Sequence, residues 1–121
     1  MKVRLIPIVV FLLMFAFNAS AQFLSTGGEV VEIVDGKTVV IAIPNGRVKV
    51  ELQFVEVPEP GQPMHDTVRA HLQKLLMGKV VEYKPFRLFA DRTVGRVTLN
   101  NVDVSQQMLR DGAAWLIPIS K

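Results

Sequence analysis

The chain has 121 residues, enough for one hydrophobic core but not two independent ones. It has no cysteine, which excludes a disulfide scaffold, thiolate chemistry and a Cys-based zinc site. Its 14 Lys and Arg face 11 Asp and Glu, and Lys2 and Arg4 belong to the first segment, so the rest is close to neutral and a polybasic nucleic-acid clamp is excluded.

Residues 1–21 open on Lys2 and Arg4, run through an apolar stretch at 5–17 and end on Ala19-Ser20-Ala21. A positive start, an apolar run and an Ala-x-Ala end are the parts of a secretory signal peptide. The run falls short of the ~20 residues that span a bilayer, so no stable membrane anchor is expected. The reading is export, to the periplasm or the medium, with cleavage after Ala21 and a single domain over residues 22–121.

In chain order, residues 27–34 form a first strand, with Val30, Val31, Ile33 and Val34 supplying β-branched bulk. Asp35-Gly36-Lys37 is a turn, and residues 38–43 are a second strand. Asn45-Gly46 marks a hairpin. Residues 48–55 alternate, with Val48, Val50, Leu52 and Phe54 expected inside and Lys49, Glu51 and Gln53 outside. Pro58, Pro60 and Pro63 make a loop, because prolines remove donors and fix φ. Residues 66–77 read as a helix with Val68, Leu72, Leu75 and Leu76 on one stripe and Gly78 as its C-cap. Two short strands at 79–83 and 86–90 flank Lys84-Pro85, and a further strand covers 94–99. Asp103 opens a second helix in capping-box fashion with Gln106, ending near Gly112. Residues 113–117 are apolar and extended, with Trp115 expected in or near the core. The order specifies an α+β, mainly β fold: a five-stranded, partly open OB-type barrel with two helices packed on it.

Six segments occur in a recognisable order: Gly28 to Thr38 with Asp35-Gly36; Val55-Glu56-Val57-Pro58-Glu59; Gly61-Gln62-Pro63; Leu76-Met77-Gly78-Lys79-Val80-Val81; Asp91-Arg92 with Gly95-Arg96; and Leu109 to Trp115. Together they resemble the staphylococcal nuclease (thermonuclease) family over nearly all of residues 22–121. The resemblance implies an OB barrel, frequent export, and Ca²⁺-dependent cleavage of phosphodiester bonds in DNA and RNA. It also implies a third, C-terminal helix; with nine residues after Gly112, the expectation is either a minimal version without it or a sequence that is short at this end.

Such chemistry needs oxygen ligands for a hard cation, cationic donors for phosphate and a carboxylate near the attacking water. Carried over by resemblance, the family positions are Lys37, Glu51, Glu56, Val57, Glu59 and Arg96. Glu59 and Arg96 keep the family's catalytic residue types, as water-orienting carboxylate and phosphate ligand. Glu56, the Val57 carbonyl and Glu59 are the residual metal candidates. Lys37 and Glu51 reverse sign, placing an ammonium where the family has a metal carboxylate and a carboxylate where it has an arginine. Val94, Pro118 and Ser120 stand where the family commonly has tyrosines.

Lys84, Arg87, Arg92 and Arg96 form one basic cluster opposed by Asp91, either a phosphate-facing patch or a solvated face. His65 and His71 lack a third ligand at metal spacing and read as surface residues. Three readings follow. The first is an exported binding module, catalytically impaired, for an anionic ligand, nucleic acid or protein, with no cofactor. The second is a Ca²⁺-dependent nuclease with an altered site. The third is a protein-interaction domain of the cell envelope. Reversed Lys37 and Glu51 favour the first. If they form one coordinated swap, Lys37 Nζ should lie within ~4 Å of Glu51, Glu56 or Glu59.

Overall fold

A computed structural model of the chain describes residues 26–117. The signal-peptide reading and the Pro118 and Ser120 positions lie outside the described residues. Within them run eight strands: β1 (Gly27–Asp35), β2 (Thr38–Ile43), β3 (Gly46–Leu52), β4 (Val55–Glu56), β5 (Val80–Leu88), β6 (Thr93–Leu99), β7 (Val102–Asp103) and β8 (Trp115–Leu116). Two helices join them, α1 (His65–Leu76) between β4 and β5, and α2 (Val104–Arg110) after β7. No helix among the described residues is long and apolar enough to cross a membrane.

The main sheet has the order β3-β2-β1-β5-β6-β7, and a parallel pairing of β3 with β6 closes it. The result is a closed five-stranded mixed barrel with two helices, an α+β fold. The closing register sets Val50 against Thr93, Glu51 against Val94 and Leu52 against Gly95.

Inward residues do not follow a plain period of two. In β1 the buried side chains are Val30 and Ile33, because the register with β2 shifts between Val30 and Glu32. A bulge of this kind inserts one residue and turns the following side chain to the other face. Val39, Ile41, Val50, Leu52, Val81 and Val97 complete the barrel interior. Helix α1 covers it with Val68, Leu72 and Leu76, spaced four apart on one face, and α2 adds Val104 and Met108.

Several expectations are corrected. The strands expected at 79–83 and 86–90 are a single strand, β5, running through Pro85. Proline is tolerated because the register with β6 shifts between Pro85 and Arg87, where no ladder donor is required. Gly95, opposite Pro85, allows the close approach, since a Cβ there would stand 2.5 Å from the Lys84 carbonyl oxygen. The third strand stops at Leu52 instead of continuing to Val55. Gln53 is buried, its N–H donating to Gly95 O at 3.0 Å and its carbonyl accepting from Ser105 Oγ at 3.1 Å. Phe54 then takes φ 64° and is 54% exposed, the reverse of the expected alternation. Trp115 is half exposed on β8 instead of packed in the core, because β8 pairs only with the two-residue β4 at the barrel edge. Helix α1 starts and ends one residue earlier than expected, and Met77 is its C-cap, followed by Gly78 at φ 77°. In α2 the Asp103 carboxylate accepts from Ser105 N at 2.9 Å, an N-cap made to the second helical residue.

Candidate functional site

The turn that starts β2 carries the central residue. Asp35 Oδ1 accepts from Lys37 N at 2.9 Å, and Lys37 O accepts from Leu52 N at 2.7 Å. Gly36 lies against the helix and the loop: a Cβ there would stand 2.6 Å from Val68 Cγ1 and 3.3 Å from Val57. The turn is thus pressed between α1 and the segment that carries Glu56. Register does the rest, since Thr38 pairs with Glu51 and places the Glu51 side chain beside Lys37.

Lys37 Nζ donates to Glu56 Oε1 at 2.5 Å and stands 4.0 Å from Glu51 Oε1. The three side chains are 20%, 38% and 22% exposed for Lys37, Glu56 and Glu51. Arg92 approaches the same Glu51 oxygen, with Nε at 3.3 Å. That contact is within ion-pair range but lacks hydrogen-bond geometry, so the buried Nε has no hydrogen-bond acceptor among the described residues. The Arg92 guanidinium also meets Asp91 at 3.2 Å and lies 4.5 Å from the centroid of the Phe89 ring. Arg92, Glu51, Lys37 and Glu56 therefore form an alternating chain of charges with no net excess.

Lys37 and Glu56 open on a cleft of about 240 Å³ lined also by Asp35, Val57, Pro58, Glu59 and Pro60. Glu59 is exposed on its rim, and its loop is fixed by Glu59 N donating to Gln62 Oε1 at 2.6 Å and Gln62 N donating to Glu59 O at 2.9 Å. His65 Nδ1 donates to Pro58 O at 3.0 Å, tying the same loop to the start of α1. The Val57 side chain is buried in the core.

The other named residues lie elsewhere. Arg96 does not reach the cleft. It is four residues beyond Arg92, about 13 Å away along a strand at ~3.3 Å per residue, and pairs with Asp103 at 3.4 Å. Lys84 is its cross-strand partner in β5, and Arg87 is exposed opposite Val94. The basic cluster is thus divided: Arg92 pairs with Glu51, while Lys84 and Arg96 line a separate groove with Gln53, Phe54, Pro85 and Phe86. No sequence signal marked Phe54 and Phe86 as surface residues, and Arg92, expected in the basic cluster, pairs with Glu51.

Away from the cleft, His71 Nε2 stands 2.7 Å from Asp111 Oδ2, and Gln107 Nε2 donates to Asp111 Oδ1 at 2.8 Å. The hydrogen bond from His71, then that from Gln107, holds the Asp111 carboxyl below the usual carboxylate range.

The residues present do not fit Ca²⁺ at the position the resemblance implies. Among the described residues no three His, Asp or Glu side chains converge on one point. Of the carboxylates that line the cleft, Asp35, Glu56 and Glu59, Glu56 already faces the Lys37 ammonium, as does Glu51 from β3.

No family model matches the chain. It is similar to a protein named an uncharacterized endonuclease from Escherichia coli O157:H7, with 29% identity over 107 residues, 87% of this chain and 70% of that protein. A second protein of the same name from Escherichia coli matches with the same identity and coverage. Over most of its length, then, this chain resembles proteins named endonucleases while carrying a lysine-centred cleft.

Proposed function

We propose that the chain is a nuclease-like domain in which Lys37 replaces the catalytic cation, and that it binds an anionic ligand, nucleic acid foremost, without hydrolysing it. The observation that carries this reading is the position of Lys37 Nζ, 2.5 Å from Glu56 and 4.0 Å from Glu51. A dication ~4 Å from an ammonium meets a repulsion of about 8 kcal/mol at an effective dielectric of 20. The alternating chain from Arg92 to Glu56 supplies the compensation a metal would otherwise provide. Arg96, the residue the resemblance assigns to phosphate, lies in the neighbouring groove. Separating a phosphate-stabilising group from the reacting centre costs ~10²–10³ in rate. The N-terminal segment adds export to the proposal, with periplasm or medium as the place of action.

A second reading, a Ca²⁺-dependent nuclease with an altered site, draws on the names of the similar proteins and on Glu59 at the cleft rim. A plasmid-nicking assay with purified protein, in Ca²⁺ and in EDTA, separates the two. The proposal expects no nicking above background in either. Ca²⁺-dependent nicking abolished by Glu59→Ala establishes the second reading instead.

A further inference from the structure

Apart from the Lys37 cleft, the groove of about 290 Å³ between the β3–β4 turn and β5 combines an aromatic pair with a pair of like charges. Phe54 and Phe86 stand in it edge to face, with ring centroids 5.3 Å apart and planes at 63°, and both are more than half exposed. Neither is loose. Phe54 is fixed by its left-handed backbone at φ 64° and by its carbonyl, which accepts from Ile117 N at 3.1 Å. A bulky residue in that conformation is an outlier that calls for an explanation. Phe86 is turned out by the β5 irregularity after Pro85.

The charges are the second feature. Lys84 and Arg96 are direct cross-strand partners in an antiparallel pair. Like charges so placed are unfavourable. Asp103 relieves the contact from one side only, at 3.4 Å from Arg96 Nε, and Asp103 is already committed to capping α2. An anion lying between Lys84 and Arg96 would remove the remaining repulsion. An aromatic face beside such an anion site matches a base next to its phosphate. A base inside a duplex does not offer its face, so the ligand is single-stranded. The groove volume lies near the lower end of the ~300–1,000 Å³ typical of small-ligand pockets, which suits one nucleotide unit of a longer strand.

We propose that this groove is a seat for single-stranded nucleic acid, with a base stacked on Phe86 against the wall made by Phe54 and the flanking phosphate between Lys84 and Arg96. This seat is distinct from the Lys37 cleft and rests on the anion-binding reading above. It explains how a near-neutral protein engages a polyanion: stacking supplies what a cationic excess does not.

The test is fluorescence anisotropy of the full chain with labelled dT12 and rU12 strands, with unlabelled heparin as a polyanion that has no bases. The variants are Phe86→Leu, which keeps apolar bulk but removes the ring, and Lys84→Gln, with a thermal melt to confirm that each is folded. Removal of one stacking ring should weaken strand binding by about 5- to 150-fold. Lys84→Gln should lower the slope of log K against log salt by about 0.7. Heparin should bind more weakly than the strands, and Phe86→Leu should leave its binding unchanged. Strand binding untouched by Phe86→Leu overturns the seat while leaving anion binding intact. Binding of neither strand nor heparin overturns both.

Discussion

Arg92 Nε and Lys37 Nζ share one oxygen of Glu51, at 3.3 Å and 4.0 Å. Glu51, the residue whose sign is reversed relative to the resembled arginine, is therefore flanked by two cations. It is one member of a chain in which Lys37 is bound in turn by Glu56 at 2.5 Å. Lys37 and Glu51 carry opposite charges side by side, and partial burial of all three side chains makes the pairing more than a solvated surface contact.

A double-mutant cycle of Lys37→Met and Glu56→Gln should show coupling of about 0.5–1 kcal/mol in urea unfolding, at the upper end for exposed pairs. Each single change should be tolerated, because Glu51 stays near Lys37 and Glu56 is partly open to water. Zero coupling would mean that the pair has no energetic role.

Gly36→Ala should destabilise the fold by about 1–3 kcal/mol, read as a lower urea midpoint at unchanged slope. The added methyl meets Val68 at 2.6 Å, and Val68 is held in the core by α1, so it cannot withdraw without loss of packing. A neutral result would show that the turn carrying Lys37 is less constrained than its contacts indicate.

The Asp111 carboxyl, depressed by its bonds from His71 and Gln107, gives a prediction on acid stability. A depressed folded-state pKa contributes stability that is present above the unfolded value of 3.8 and is lost as pH falls through the folded value. The melting-temperature gap between wild type and Asp111→Asn, measured at pH 5, should therefore shrink at pH values below about 4. A gap that widens in acid would contradict the assignment.

The barrel was legible because its signals are local and redundant: Asp35-Gly36, Asn45-Gly46, the 38–43 strand and the Val68, Leu72, Leu76 stripe all agree with the observed elements. The Lys37–Glu51 juxtaposition was expected from the resemblance, and the register that pairs Thr38 with Glu51 agrees with it. What escaped depends on single residues that break a period. Phe54 looked inward by alternation, but the turn at Gln53, fixed by bonds to Gly95 and Ser105 from distant segments, sends it outward. Pro85 read as a strand breaker, whereas a bulge and Gly95 across the ladder accommodate it. Arg96 was expected at the cleft from its place after a glycine. The parallel β3–β6 register, set by long-range closure of the barrel, brings Arg92 beside Glu51 instead.

A thermal melt in millimolar Ca²⁺, run on the wild type and on Lys37→Asp, tests most directly whether Lys37 stands in for a metal. The wild-type curves with Ca²⁺ and with EDTA should overlay. Lys37→Asp removes the ammonium and adds a carboxylate beside Glu56, so its melt should move upward in Ca²⁺, by as much as the equivalent of about 2.7 kcal/mol at 100 times the Kd. A clear upward shift of the wild type in Ca²⁺ would contradict the claim and restore the cleft as a calcium site.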